Sequence, residues 1–177
     1  ELGIDLDLGT DEAGTVNLNA GGTLNNAAEL EIIAGHTQTN AGVLNNTNTF
    51  SNHGTLDNDG TLNNHGTLDN HGTLNNAGTL NVADMLENRR NSTLNNNGTL
   101  NVTGIVESRS NTTLNNSGTL NVTTDLLTGR NGRLNNAGTV TVEAAGLVGG
   151  LGSYVQTAGQ TIVNGELRQG DGVVING

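Results

Sequence analysis

From Gly54 the chain repeats every six residues, as GTLDND, GTLNNH, GTLDNH, GTLNNA and GTLNVA. A unit this short has no room for a helix of several turns, but it fits one short strand and a turn. A longer period follows. STLNNNGTLNVTGIVESRSN (92–111) aligns with TTLNNSGTLNVTTDLLTGRN (112–131) at a spacing of 20, and GTLNNAGTLNVADMLENRRN (72–91) aligns with both. The two periods reconcile if three units make one coil of 18 or 20 residues. Coils then begin near Gly22, Gly42, Gly60, Gly78, Gly98, Gly118 and Gly138. The eight-residue unit is expected third in the 22–41 coil and second in later ones, so that the longer side changes face. Eight or nine coils stacked about 4.8 Å apart would make a rod of roughly 40 Å.

Within Gly-Thr-Leu-Asn-Asn the Leu is flanked by polar residues, which is strand alternation. Leu is expected to point in, and Thr and the first Asn out. Gly and the second Asn are expected at a corner that needs unusual backbone angles. Stacking gives three aliphatic columns. The first is Leu24, Leu44, Leu62, Leu80, Leu100, Leu120 and Val140. The second is Leu30, Phe50, Leu68, Leu86, Val106 and Leu126, and the third is Leu56, Leu74, Leu94, Leu114 and Leu134. Asn25, Asn45, Asn63 and Asn26, Asn46, Asn64 are candidates for side-chain amide ladders, which reinforce stacked β-structure. The expected fold is all-β: a single parallel β-helix (β-solenoid) with three short strands per coil. The whole chain, 1–177, reads as one solenoid fragment. Residues 1–21 form an irregular first coil, 22–142 the regular coils and 143–177 looser C-terminal coils, with Gly146 to Gly152 as a loop.

Composition fits a stack of small side chains. There are 27 Gly, no Pro, one Phe, one Tyr and no Trp. Roughly 31 residues are Asn, far above ordinary usage. The net charge is −11 and all six basic residues are Arg, so no basic stripe exists to hold nucleic acid, and an anionic membrane surface would repel the chain. No cysteine is present for disulfides or thiolate metal sites. No apolar run approaches the roughly 18 residues of a membrane span. The chain starts and ends within its pattern, and we expect a piece cut from something longer.

The iterated GTLNNAGTLNV (72–82) resembles the roughly 20-residue repeats of filamentous-haemagglutinin-type exoproteins, which are bacterial two-partner-secreted proteins. SYVQTAGQTIVNGEL (153–167) resembles the strand repeats of autotransporter passengers. The resemblance implies a right-handed parallel β-helix, export from the cell to an extracellular or cell-surface location, and adhesion, aggregation or surface display. It carries over no catalytic residues. The six-residue stretch 54–83 departs from it, because 18-residue coils also suit a left-handed hexapeptide helix. Parallel crossovers are usually right-handed, which favours that hand.

Candidate sites are few. His53, His65 and His71 close three hexads and Asp59 closes another, which stacks His53 on His71 at one corner. Imidazole is a common metal ligand, but the same position also holds Thr47 and Ala77. Asp57-Asn58-Asp59-Gly60 hints at calcium, although full EF-hand spacing is absent. Calcium between coils is the one cofactor that the acidity suggests. Glu87, Arg89, Arg90, Glu107, Arg109 and Arg130 make the only mixed-charge patch and are the candidate glycan-binding residues. Glu87 and Glu107 occupy equivalent positions of successive coils, as a glycosidase carboxylate pair would. There is no Lys, aromatic platform or long loop beside them, so no catalytic residue is assigned. Outward threonines suggest ice binding, but the outward pair is Thr then Asn.

The expected function is a non-catalytic structural or adhesive segment of a large exported bacterial surface protein. Its partners would be a host-cell or matrix glycan or protein. The alternatives are a subunit that pairs with itself through its solenoid ends to build a filament, and a polysaccharide-binding or polysaccharide-cleaving β-helix.

Overall fold

The computed structural model describes residues 17–143, 145–169 and 172–175. The first turn comprises β1 (Thr23–Asn26), β2 (Leu30–Ile32) and β3 (Thr37–Asn40). The same three-strand turn recurs up to Val173–Ile175. Every third strand joins the same sheet, giving three eight-stranded sheets. All pairing between the named strands is parallel, for example Leu80 with Leu100 and Leu94 with Leu114. The chain is therefore a β-solenoid with three strands per coil, and no helix occurs among the described residues. The irregular first coil expected at 1–21 lies largely outside them.

The three expected aliphatic columns are the core. Leu44, Phe50, Leu56, Leu62, Leu68 and Leu74 have no exposed surface. Each fully buried aliphatic side chain contributes about 1.5–3 kcal/mol relative to leaving it in water. Gln38 tops the third column, paired with Leu56, and Tyr154 continues it beyond Leu134.

Four expectations need correction. The second Asn of each unit turns inward. Asn40, Asn58, Asn96 and Asn136 are fully buried, because strand alternation puts the residue two beyond the Leu on the same side of the sheet. Corner glycines are needed for close approach. Gly42, Gly60, Gly78, Gly98 and Gly118 lack positive φ, yet a Cβ on Gly98 would stand 2.1 Å from the Gly78 carbonyl oxygen. Among non-glycine residues positive φ instead falls on the long corner, at Arg90 and at Asn91, Asn111 and Asn131, the last three at φ 63°, 59° and 57°, where Asn is better tolerated than most residues.

The longer side does not change face between the 22–41 coil and the later ones. Residues 33–36, 89–92, 109–112 and 129–132 all lie between a second-sheet and a third-sheet strand. The extra length moves only after Val142, where Val140 and Val148 continue the first and second columns. Finally, the loop expected at Gly146 to Gly152 contains a strand, Leu147–Gly150, which pairs with Leu126–Thr128. Small residues suit it because a Cβ at Gly150 would strike the Thr128 carbonyl.

The inward asparagines form continuous ladders. In the third sheet Asn40 donates to Asn58, and the chain of bonds runs on through Asn76, Asn96 and Asn116 to Asn136, each 2.7–2.8 Å. Each donor amide from Asn40 to Asn116 also reaches a Thr carbonyl at the start of the first-sheet strand in the following coil, beyond the one that comes next in the chain, as Asn96 does to Thr119. A buried amide costs little only when it is hydrogen-bonded, and the repeat supplies its partner. In the first sheet the ladder runs Asn26, Asn46, Asn64 and then gives way to Val82, Val102, Val122 and Val142.

Candidate functional site

The second-sheet face carries the charge. Glu31, Asp69, Glu87 and Glu107 project outward from the middle of its strands. Immediately after each of four strands comes a basic or titratable residue: His53, His71, Arg89 or Arg109. Acid and base two residues apart project on the same side of a strand, so the pairs meet along the chain and across coils. His53 Nε2 lies 3.7 Å from Glu31, and His71 Nε2 lies 3.3 Å from Asp69. Arg89 Nε is 2.8 Å from Asp69, an ion contact out of line for a hydrogen bond. Arg89 also binds Glu87, and Arg109 bridges Glu87 and Glu107.

Glu87 is only 4% exposed. Both carboxylates of the Glu87–Glu107 pair are thus spoken for by Arg109. Burial by itself would lower the Arg109 pKa. The hydrogen bond to Glu87 and the charges of Glu107, Glu87 and Asp69 outweigh it, and the net direction is upward. The guanidinium therefore stays charged and neutralises the stacked acids. The sequence carried the signal for this ladder: D-N-H at 69–71, E-N-R at 87–89 and E-S-R at 107–109. Glu31 and Asp69 were the members that the sequence reading missed. Arg90 and Arg130 stand apart, exposed at the long corner.

His53 and His71 stack with ring centroids 4.5 Å apart and planes 17° from parallel. Among the described residues no group of three or more His, Cys, Asp or Glu is arranged to hold a metal. His65 lies at a different corner, where its ring faces the Asn46 carbonyl. Asp57 lies on a strand and Asp59 in the turn that follows it. Asp57 accepts a hydrogen bond from Asn75 at the end of an outer ladder, and Asp59 is exposed in the corner.

The other two faces are built from amides and hydroxyls. On the first sheet Asn121, Asn101, Asn81, Asn63, Asn45 and Asn25 form an outward ladder, in which Asn121 donates to Asn101 and so on in this order to Asn25, at 2.7–2.9 Å. On the third sheet Asn135, Asn115, Asn95 and Asn75 do the same, ending on Asp57. These outer ladders donate toward the N-terminus, whereas the inner ladders donate toward the C-terminus. A shallow trough follows each outer ladder. One of about 230 Å³ includes Asn63, Asn81 and Asn101, and one of about 430 Å³ includes Asn75, Asn95, Asn115 and Asn135. Among the described residues no helix is long and apolar enough to cross a membrane.

No curated protein and no solved structure shows significant similarity to the chain. Residues 113–177 match the haemagglutinin repeat family, which is of adhesin type and is associated with secreted or cell-surface exoproteins. That match and the three-sheet solenoid together fit the chain to the repeats of filamentous-haemagglutinin-like exoproteins.

Proposed function

We propose that the chain is a rigid, non-catalytic adhesive segment of a large exported surface protein. The observation that carries this reading is the continuity of the ladders. The outer amides repeat in fixed register from Asn25 to Asn121 on the first sheet and from Asn75 to Asn135 on the third, so the rod presents the same polar groups over several successive coils. A solenoid whose coils contact only their neighbours is lengthened without changing its cross-section. That suits display of a repeated surface far from an anchor. Many weak contacts along such a surface add through multivalency, without one deep pocket. The ion-paired state of Glu87 and Glu107 supports the non-catalytic part, because a glycosidase needs one carboxyl free to give a proton and another free to attack or activate water.

Two measurements test this reading. Electron microscopy of the purified chain across a concentration series should show discrete rods of one length. Fibres that lengthen with concentration would instead make end-to-end assembly the function. In parallel, the immobilised chain should retain cells or extracellular matrix above the level of an unrelated acidic protein, and equal retention would overturn the adhesive reading.

A further inference from the structure

On the first and third sheets a trough lies between the outer side-chain column and the corner that follows. On the second sheet this space is occupied by the ion pairs of Arg89 and Arg109. It is open on the first sheet, at about 230 Å³, and on the third, where the trough is the larger at about 430 Å³. Its floor is Asn75, Asn95, Asn115 and Asn135, and Asn97 and Ser117 stand on its wall. Ser117 donates to Asn97 at 2.6 Å, which fixes that wall.

The floor amides are only partly used. Asn95 and Asn115 each spend one N–H and one carbonyl lone pair on their neighbours. An amide has two N–H groups and two lone pairs, so each rung retains one donor and one acceptor. These groups recur about every 4.8 Å, close to the length of one pyranose unit in an extended chain. The ladder holds them in place before any ligand arrives, which lowers the ordering cost of binding.

The trough also selects by charge. No acid is among its lining residues; Asp57 stands at one end, held by Asn75, and Arg133 is turned onto Asn135 at the other. With a net charge of −11, the chain repels an anionic polymer. A protein strand would add to a sheet edge, not lie across a face. A neutral polysaccharide meets every condition, because each hydroxyl both donates and accepts and the chain extends with a regular repeat. Resting on the adhesive reading above, we propose that the trough along Asn75, Asn95, Asn115 and Asn135 binds an extended neutral glycan lying parallel to the solenoid axis, about one sugar per rung.

The test is titration of the full chain with cellohexaose, chitohexaose and mannohexaose, with a heparin hexasaccharide as the anionic control. Binding is read by calorimetry and by the side-chain amide NMR signals. At least one neutral hexasaccharide should bind and shift the outer third-sheet amides, and heparin should not. The double variant N95T/N115T should weaken binding at least tenfold. Thr is a fitting replacement because Thr141 already stands in the outer column of the first sheet, beside Asn121. An unchanged circular dichroism spectrum and melting temperature will show that the variant is folded. N81T/N101T in the first sheet should change binding less than twofold.

Binding by none of the three neutral sugars, equal binding of heparin, or loss of binding in R109Q but not in N95T/N115T would overturn the proposal. The cell-retention assay separates this failure from failure of the adhesive reading. Retention that N95T/N115T leaves intact removes the glycan trough and keeps adhesion, whereas absence of retention in the parent chain removes both.

Discussion

Asn95 and Asn96 are neighbours in sequence with opposite fates. Asn95 belongs to the outer ladder of the third sheet and is partly exposed, while Asn96 belongs to the inner ladder and is fully buried. Both accept from one adjacent coil and donate to the other. Asn96 also reaches the Thr119 carbonyl, tying the third sheet to the first. The difference teaches that the same ladder does two jobs. Inside, it satisfies amides that have no access to water and locks coil to coil. Outside, water can replace any bond that is lost, so the ladder contributes little to stability and leaves its spare groups available for a ligand.

The sharpest way to break this comparison is to cut the core between the two ladders. Leu94→Ala should destabilise the chain by about 2–5 kcal/mol, read by denaturant unfolding, since it empties a fully packed site. Asn96→Ala should cost about 2–3 kcal/mol, because it leaves Asn76, Asn116 and Thr119 with unmet buried groups. Asn95→Thr should cost less than about 0.5 kcal/mol, as exposed substitutions usually do. Equal losses for Asn95→Thr and Asn96→Ala would show that exposure does not separate the two ladders.

The charged face offers a third point of comparison. Arg109 is nearly half-exposed, so Arg109→Gln should cost about 0–1 kcal/mol, and less at high salt. A loss as large as that of Asn96→Ala would mean that the ion-pair ladder is a structural spine.

The smallest effect concerns pH. Burial raises the Tyr154 pKa, and its hydrogen bond to Thr161 opposes the shift without cancelling it. The folded value lies above the ordinary 10, so the contribution of this group to stability is full below about 10. It is lost as pH rises through the folded value. As the one tyrosine in the chain, its ionisation can be followed directly by ultraviolet absorbance. Tyr154→Phe should remove this part of the alkaline loss of stability.

Much of the fold was legible because a six-residue unit with one Leu allows few arrangements. All three aliphatic columns could be written down by number, since a column follows from spacing alone. The stacking of His53 on His71 and of Glu87 on Glu107 was legible for the same reason. The inward turn of Asn96 was hidden, although strand alternation implied it, because an amide two residues beyond a Leu looks like a turn residue. The charge ladder was half visible. Glu87, Arg89, Glu107 and Arg109 stood out as a patch, but the engagement of both carboxylates by Arg109 depends on side chains meeting across coils.

The sequence by itself determined the period, the number of strands per coil and the identity of the core, because these depend on spacing along one chain. Only the tertiary structure decided which amides are sealed from water, the opposite directions of the inner and outer ladders, and which troughs are filled or open. Each depends on what stands one coil away and at the corner of a closed cross-section. The corner glycines show the reason most directly. Nothing in the backbone angles of Gly98 requires glycine, and the constraint comes from the Gly78 carbonyl of the preceding coil.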